Sequence, residues 1–263
     1  METMNENEIT QAIKEKLTQI EQRENIRILY ACESGSRAWG FASPDSDYDV
    51  RFIFVRPVED YLRVKELPDY IDAELNDVYD INGWDLKKFF KQLYKSNPVI
   101  FEWADSPIVY RTSEEWEKVK ANMQDFVLHV AMIHHYRGMA KSNVRSNFAT
   151  SEVVLKKYLY VLRPVLACVW IMQKHIVPPT EFMKLVEEVL PEELKVLVDE
   201  LLAVKMKSGE KEKVARIPQI NLFIESKLNE ATVFPVNEEV QKDYEKLGKL
   251  FLEIVQAGVA GGV

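Results

Sequence analysis

The sequence predicts an α+β fold in two parts, an N-terminal domain that combines helices with short strands and a C-terminal domain made of helices. Short apolar runs with strand-like alternation occur only before about position 112. Beyond that point apolar residues recur at helical spacing in long segments. These segments are 114–141, 151–174, 180–204 and 237–256. We therefore expect a first domain at 1–112, a helical domain at 113–257 and a loose tail at 258–263.

The first domain begins with a predicted amphipathic helix. Apolar residues recur every three or four positions from Ile9 to Ile20, so a helix is expected over the first twenty residues. Strands are expected at 26–32, 47–55 and 78–82. A short helical turn is expected at 37–40, residues 57–70 look irregular, and Asp85 is suited to cap the helix that follows it.

The composition excludes several classes of protein. With 47% hydrophobic residues in 263, the chain can build a packed core. A formal net charge of -8 argues against a general affinity for nucleic-acid backbones, although a local basic patch is compatible with it. The two cysteines, Cys32 and Cys168, form no disulfide framework or zinc cluster and fit a reducing cytoplasm. No signal peptide or membrane span is evident, so we expect a cytoplasmic protein without a membrane partner.

Two aspartates on one predicted strand are the strongest sign of chemistry. Because side chains alternate along a strand, Asp47, Asp49 and Arg51 point one way while the apolar residues between them point to a core. Adjacent carboxylates repel each other unless a cation or a positive partner lies between them. Mg²⁺ commonly takes one or two carboxylates plus substrate phosphates as ligands. The pair therefore predicts a metal site.

The loop before this strand has the composition of an anion site. Gly35 permits unusual backbone conformations and the close approach of a ligand. Ser36 adds a hydroxyl group, the turn that it opens offers free amide groups, and Arg37 adds a positive charge. A phosphate-binding turn placed shortly before a metal-binding pair is what phosphoryl or nucleotidyl transfer requires.

Together these residues resemble a known signature. Gly35-Ser36, ten intervening residues and Asp47-x-Asp49 resemble the motif of nucleotidyltransferases of the DNA polymerase beta superfamily. The longer string ESGSRAWGFASPDSDYDVRF is similar to the RlaP-type branch, whose members are predicted nucleotidyltransferases associated with RNA repair. GWDLKKFF, KSNP, SPIVY and KKYLYVLRP also resemble that branch, so the resemblance spans about 26–175. The segment 176–263 contains no motif that we can assign.

The resemblance implies a small mixed sheet with a helical substrate-binding domain behind it. It also implies two Mg²⁺ ions, which Mn²⁺ can replace, and transfer of a nucleoside monophosphate from a nucleoside triphosphate such as ATP with release of pyrophosphate. The acceptor implied by the RlaP-type branch is an RNA end. The oligomeric state stays open.

The superfamily uses a third carboxylate from a neighbouring strand, commonly as the base that activates the acceptor hydroxyl. The candidates are Asp77, Asp80 and Asp85. We prefer Asp80, as base and metal ligand, because it lies inside the predicted strand 78–82. Asp85 is better explained as a helix cap, and Asp77 as part of the turn after Leu75.

The segment 151–174 supplies the candidate nucleotide-binding residues of the helical domain. Lys156, Tyr160 and Arg163 share one helix face, away from the apolar stripe, and we expect them to be exposed on the cleft side. That face can hold the triphosphate and stack a base. Lys157 is the alternative lysine, and a solvated basic face is the alternative interpretation.

A second basic cluster lies later in the chain. Its members are Lys205, Lys207, Lys211, Lys213 and Arg216. Because glutamates dilute it, a charged linker between helices is preferred to an RNA-binding surface.

The sequence thus predicts a magnesium-dependent nucleotidyltransferase that acts on an RNA end. One alternative is a protein-modifying, AMPylating enzyme of the minimal antitoxin type. The other is a non-catalytic nucleotide-binding regulatory protein, against which the intact Asp47 and Asp49 argue.

Overall fold

The computed structural model describes residues 6–148, 150–207, 209, 212–234 and 242–257. The predicted tail at 258–263 lies outside the described residues. The first part contains α1 Glu6–Glu24, β1 Arg27–Glu33, α2 Gly35–Trp39, β2 Tyr48–Val55, α3 Val58–Tyr61, β3 Tyr70–Leu75, β4 Tyr79–Asp85, α4 Leu86–Tyr94, α5 Pro98–Ala104 and β5 Val109–Arg111. The second part contains α6 Glu114–Asn122, a 3-10 turn Met123–Phe126, α7 His129–Asn147, β6 Glu152–Val154, α8 Leu155–Lys174, α9 Phe182–Val189, α10 Glu192–Lys205, β7 Lys213–Ala215, α11 Pro218–Glu230 and α12 Tyr244–Ala257.

Five strands form a mixed sheet in the order β3–β4–β2–β1–β5. β2 and β4 are parallel, and every other neighbouring pair in this sheet is antiparallel. Since β1 and β2 are antiparallel, the carboxyl end of β1 lies beside the start of β2, where the two aspartates occur. The small mixed sheet and the α+β fold class are therefore confirmed.

Apolar side chains cover both faces of the sheet. Phe52 and Phe54 of β2 pack on one face with α1, whereas Ile53 and Val55 belong to the core on the other face, with α4 and α5. Asp49 and Arg51 alternate with the first set, so they lie on the same face as Ile53, beyond the edge of its apolar core.

Several elements were not predicted from the sequence. Residues 57–70 were expected to be irregular, but they contain α3 and the first residue of β3. The edge strand β3 was missed because charged side chains, Asp72 and Glu74, interrupt its apolar pattern. The expected linker after α10 contains β7, which pairs with β6, so the second part of the chain also holds a two-stranded sheet.

The core of the sheet domain also contains residues from the end of the chain. Leu247 and Ile254 of α12 belong to the cluster around α4, and Arg27 of β1 donates a 3.0 Å hydrogen bond to the carbonyl oxygen of Ile254. The boundary at residue 112 stays a prediction. None of the helices within the described ranges is both long and apolar enough to span a membrane.

Gly83 of β4 gives a test of packing within the sheet. A methyl group at this position would overlap the ring of Phe52, which is fully buried. We expect Gly83→Ala to lower the free energy of unfolding by about 1–3 kcal/mol, the usual cost of overpacking. Gly138→Ala in α7 is the control, because nothing lies within 4 Å of its added Cβ. Urea unfolding should show a stabilisation of about 0.5–1 kcal/mol for this control. An unchanged urea midpoint for Gly83→Ala would mean that β2 and β4 can move apart to fit the methyl group without loss of stability.

Candidate active site

Strand register brings two of the predicted carboxylates together. Asp49 of β2 is the Cα partner of Asp80 on the parallel strand β4. Asp47 immediately precedes β2 and is partly exposed. The charges of Asp47 and Asp80 both act on the carboxyl group of Asp49, so the three acids lie close together at the starts of β2 and β4. Their roles remain predictions.

The other two candidates for the third carboxylate occupy different environments. Asp85 caps α4 by accepting a 2.8 Å hydrogen bond from the amide of Lys87, and Tyr61 donates to its second oxygen at 2.9 Å. Asp77 is exposed in the turn between β3 and β4. The sequence interpretation of Asp85 as a cap and Asp77 as a turn residue is confirmed.

Gly35 touches the carboxylate of Asp49. Its backbone has φ of +60°, and a Cβ added to it would overlap Oδ2 of Asp49 and lie 2.9 Å from Cγ. A side chain at position 35 therefore cannot coexist with the present position of Asp49. The sequence suggested that glycine allows a ligand to approach, and the structure adds that it makes room for this carboxylate.

The side chains of Ser36 and Arg37 hold the loop that joins α2 to β2. Ser36 is buried, and its hydroxyl group donates a 3.3 Å hydrogen bond to Oγ of Ser46. Arg37 donates from Nη2 to the carbonyl oxygen of Ser46 at 2.7 Å and from Nε to that of Asp47 at 3.1 Å. Its guanidinium group also lies 3.8 Å from the ring centre of Tyr48. Both residues therefore shape the loop that presents Asp47.

Glu33 is a buried acid that the sequence analysis did not select. Its Oε1 accepts a 2.8 Å hydrogen bond from the amide of Asp49, and its Oε2 accepts one from the hydroxyl of Tyr110. Burial raises the pKa of Glu33 to about 7, against the effect of these two hydrogen bonds. The available signal in the sequence was a charged residue at the end of an apolar strand, two positions before Gly35. Glu33 fixes the backbone that carries Asp49.

The carboxyl group of Asp49 has an elevated pKa. Burial is the main cause that raises this pKa, the charges of Asp47 and Asp80 add to the rise, and those of Arg51 and Lys156 oppose it, so that the net pKa is about 6. The ionised form is therefore held at a net electrostatic cost, which a bound cation would relieve.

Arg51 lies between the two paired carboxylates. Its Nη2 is 3.1 Å from Oδ1 of Asp49 and 2.7 Å from Oδ2 of Asp80. The alternation of β2 predicts that Arg51 lies on the face of Asp49, but the sequence alone assigns it no role.

An aromatic cluster joins α2 to α8. The rings of Trp39 and Tyr160 meet edge to face with centres 5.2 Å apart, and both residues are only partly buried. Nζ of Lys156 and Nζ of Lys157 lie 5.5 Å and 5.6 Å from the ring centre of Tyr160. Lys156 also acts on the pKa of Asp49, which places its charge near the carboxylates.

Arg163 corrects one prediction, since it is buried and not exposed on the cleft side. Its Nη1 forms a 2.8 Å ion pair with Glu102 of α5, and its Nη2 donates to the carbonyl oxygen of Thr180 at 3.2 Å. The guanidinium carbon lies 4.5 Å from the ring centre of Trp39. Arg163 is buried because its charge is paired with the buried carboxylate of Glu102. Its guanidinium group packs against Trp39 on the buried side of the aromatic cluster.

Lys205 corrects a second prediction. It was grouped with an exposed basic linker, yet it ends α10 and is almost fully buried. Its Nζ donates a 2.6 Å hydrogen bond to Oγ of Ser43, and Ser43 in turn bonds to Ser46 at 3.0 Å. The hydroxyl of Ser46 accepts from Ser36, so Lys205 reaches the loop of the candidate site. Lys211 of the same cluster lies outside the described residues.

The chemistry of the donors fits Mg²⁺, although their arrangement is incomplete. Asp49 and Asp80 offer oxygen atoms on neighbouring strands, and two carboxylates plus substrate phosphates form an ordinary magnesium environment. Within the part of the chain that the structure describes, no group of three or more His, Cys, Asp or Glu side chains is arranged to hold a metal ion. An Mg²⁺ ion therefore fits only if a substrate supplies further ligands and if the guanidinium group of Arg51 moves away from at least one of the two carboxylates.

The chain is similar to one described protein family and to known proteins. Residues 9–253 match the model of the family described as "RNA repair pathway DNA polymerase beta family", RlaP, so the match extends well beyond the motifs placed at 26–175. The chain is 43% identical over 223 residues to the uncharacterized protein YcgL of Bacillus subtilis, covering 83% of this chain and 85% of that protein. A solved nucleotidyltransferase-like protein from Exiguobacterium sibiricum covers 93% of this chain and 80% of its own, with 9% identity and a TM-score of 0.38. This chain therefore belongs to the RlaP family, the RNA repair pathway branch of the DNA polymerase beta family.

Proposed function

We propose that this protein transfers a nucleoside monophosphate from a nucleoside triphosphate to a hydroxyl group at an RNA end, with release of pyrophosphate. The observation that carries the proposal is the pairing of Asp49 with Asp80 directly beside Gly35. Two carboxylates next to Gly35-Ser36 suit a reaction in which charged phosphate oxygens must be held close to a metal ion bound by those carboxylates. Family membership supports the same class of reaction.

Asp47, Asp49 and Asp80 are proposed to bind Mg²⁺, as two ions that Mn²⁺ can replace. When bound, magnesium neutralises the phosphate oxygens and draws the triphosphate and the acceptor hydroxyl together. In the proposed reaction the hydroxyl oxygen forms a bond to the α-phosphorus, and the bond from that phosphorus to the bridging oxygen of pyrophosphate breaks. Asp80 accepts the proton of the hydroxyl group. Glu33 fixes the backbone of Asp49, and Gly35 leaves room for its carboxylate.

The nucleotide is proposed to lie between α2, with the loop that follows it, and α8. Lys156 is suited to bind the triphosphate because its charge already acts on Asp49. The partly exposed rings of Trp39 and Tyr160 offer a stacking surface for the base. Arg163 contributes by supporting Trp39 and not by touching the nucleotide.

Labelled nucleotides test the proposal directly. The protein is incubated with Mg²⁺ and each α-labelled triphosphate, ATP first, together with a mixed RNA pool. We expect label on RNA, and no label on the same pool after periodate has oxidised its 3′-terminal diols. Transfer to added protein in place of RNA would support the AMPylating alternative. Binding without transfer to any acceptor would support the regulatory alternative and overturn the proposal.

Replacing Lys156 by alanine tests which of the two lysines near Tyr160 binds the triphosphate. We expect the KM for the triphosphate to rise about tenfold, equivalent to about 1.4 kcal/mol of lost binding, with little change in melting temperature because the side chain is partly exposed. Lys157→Ala is the matched control, since its Nζ is as close to Tyr160 but Lys156, and not Lys157, is among the main charges that shift the pKa of Asp49. If only Lys157→Ala raises the KM, the nucleotide lies on the other side of the ring.

A further inference from the structure

Four hydrogen bonds fix the guanidinium group of Arg51. Nη1 donates to the carbonyl oxygens of Val50 at 3.0 Å and Asp80 at 2.7 Å. Nη2 donates to the carboxylates of Asp49 at 3.1 Å and Asp80 at 2.7 Å. Nη1 therefore anchors the guanidinium group to the backbone of the parallel strands β2 and β4, while Nη2 bridges the two carboxylates.

This bridge supplies the positive charge that the paired carboxylates require. Asp49 and Asp80 are directly opposite each other in the sheet, and their side chains are only 20% and 31% exposed, so solvent screens their repulsion incompletely. An arginine side chain stays protonated at all physiological pH values. In the protein without metal, the guanidinium group of Arg51 thus holds the two carboxylates together.

The same bridge occupies carboxylate oxygens that a metal ion would use. Oδ1 of Asp49 and Oδ2 of Asp80 both face Nη2, and the other oxygen of Asp49 is packed against Gly35. The carboxylate of Asp49 therefore has little freedom to turn toward a different position. An ion that contacts both residues on this side must displace Nη2 from at least one of them.

We propose that Arg51 is an intramolecular competitor for the metal. It holds Asp49 and Asp80 in position while the site is without metal, and it gives up a carboxylate contact when the metal enters with the triphosphate. Metal alone consequently binds weakly, whereas metal with triphosphate brings enough additional interactions to displace the guanidinium group. This inference rests on the proposed function, because it takes Asp49 and Asp80 as metal ligands.

The test measures binding of Mn²⁺ alone, without nucleotide, by the electron paramagnetic resonance signal of the free ion. We expect Arg51→Met to bind Mn²⁺ about tenfold more tightly than the unaltered protein, because the competing charge is gone. Metal-free Arg51→Met should also melt at a lower temperature, since the carboxylates then repel each other without compensation. Adding Asp49→Asn to Arg51→Met should abolish the gain in Mn²⁺ affinity.

Arg27→Met is the matched control. It removes the same charge and the same shape from the same sheet, and Arg27 also bridges a carboxylate and a carbonyl group, those of Glu115 and Ile254. Its melting temperature should fall while its Mn²⁺ affinity stays unchanged. Arg51→Lys serves if Arg51→Met does not fold, because lysine keeps the charge but lacks the planar fork, and its Mn²⁺ affinity should rise by a smaller factor.

Equal or weaker Mn²⁺ binding by the Arg51 variants would overturn the inference and leave Arg51 as a residue that only positions the acids. This outcome is distinct from failure of the proposed function, in which the unaltered protein would transfer no nucleotide. Nucleotidyl transfer by the unaltered protein, measured in parallel, separates the two results.

Discussion

Replacing Asp49 by asparagine is expected to lower nucleotidyl transfer by several orders of magnitude. The substitution keeps the size of the side chain but removes the negative charge that is proposed to bind metal beside Gly35. Without that charge the acceptor hydroxyl and the α-phosphorus are no longer held in line, and alignment of reacting groups is a large part of the rate enhancement in such reactions.

Thermal stability should respond to Asp49→Asn differently from activity. The surroundings of Asp49 raise its pKa to about 6, so they disfavour its ionised form despite the contact with Arg51. Removing the charge should therefore leave the metal-free melting temperature unchanged or slightly higher. Mg²⁺ with triphosphate should stabilise the unaltered protein through mass action and should stabilise Asp49→Asn much less.

Asp77→Asn is the control for these measurements. Asp77 is an exposed acid in the turn before β4, and we expect its replacement to change neither transfer nor the ligand-induced rise in melting temperature. A purely structural role for Asp49 would give the reverse pattern: lower metal-free stability and an undiminished effect of the ligands. Asp80→Asn belongs in the same series. If it keeps full activity while Asp77→Asn abolishes it, the third carboxylate was assigned to the wrong residue.

Local patterns predicted much of the site. Side-chain alternation placed Asp49 and Arg51 on one face of a strand, and that strand is present as β2. The choice of Asp80 followed from its position inside an alternating run, and strand register then placed it opposite Asp49. The alternation within each strand depends on residues close in sequence, which is why periodicity captured it.

Contacts between distant segments could not be predicted in the same way. Arg163 looked exposed because its helical face was polar, and its burial depends on Glu102, which lies 61 positions earlier in the chain. Lys205 looked like part of a charged linker, and its burial depends on Ser43, 162 positions away. A long cationic side chain can be buried wherever a partner satisfies it, and one sequence does not reveal that partner.

Gly35→Ala is expected to reduce nucleotidyl transfer strongly. The new Cβ would overlap Oδ2 of Asp49, so either the loop or the carboxylate must move. Displacement of a reacting or metal-binding group by about 1 Å can reduce the rate about 100-fold, and we expect at least that loss in kcat. The positive φ adds a backbone cost of about 1–2 kcal/mol for a residue other than glycine, which should lower the melting temperature.

Gly40→Ala separates the effect of backbone strain from the effect of the contact with Asp49. Gly40 follows α2 with φ of +85°, so alanine there carries a similar backbone strain, but nothing lies within 4 Å of its added Cβ. We expect both variants to melt at lower temperature and only Gly35→Ala to lose most of its transfer activity. Equal activity losses would mean that strain in the loop, and not the position of Asp49, limits the reaction. Full activity in Gly35→Ala would mean that Asp49 can work from another position, and the close fit between glycine and carboxylate would then have no part in the chemistry.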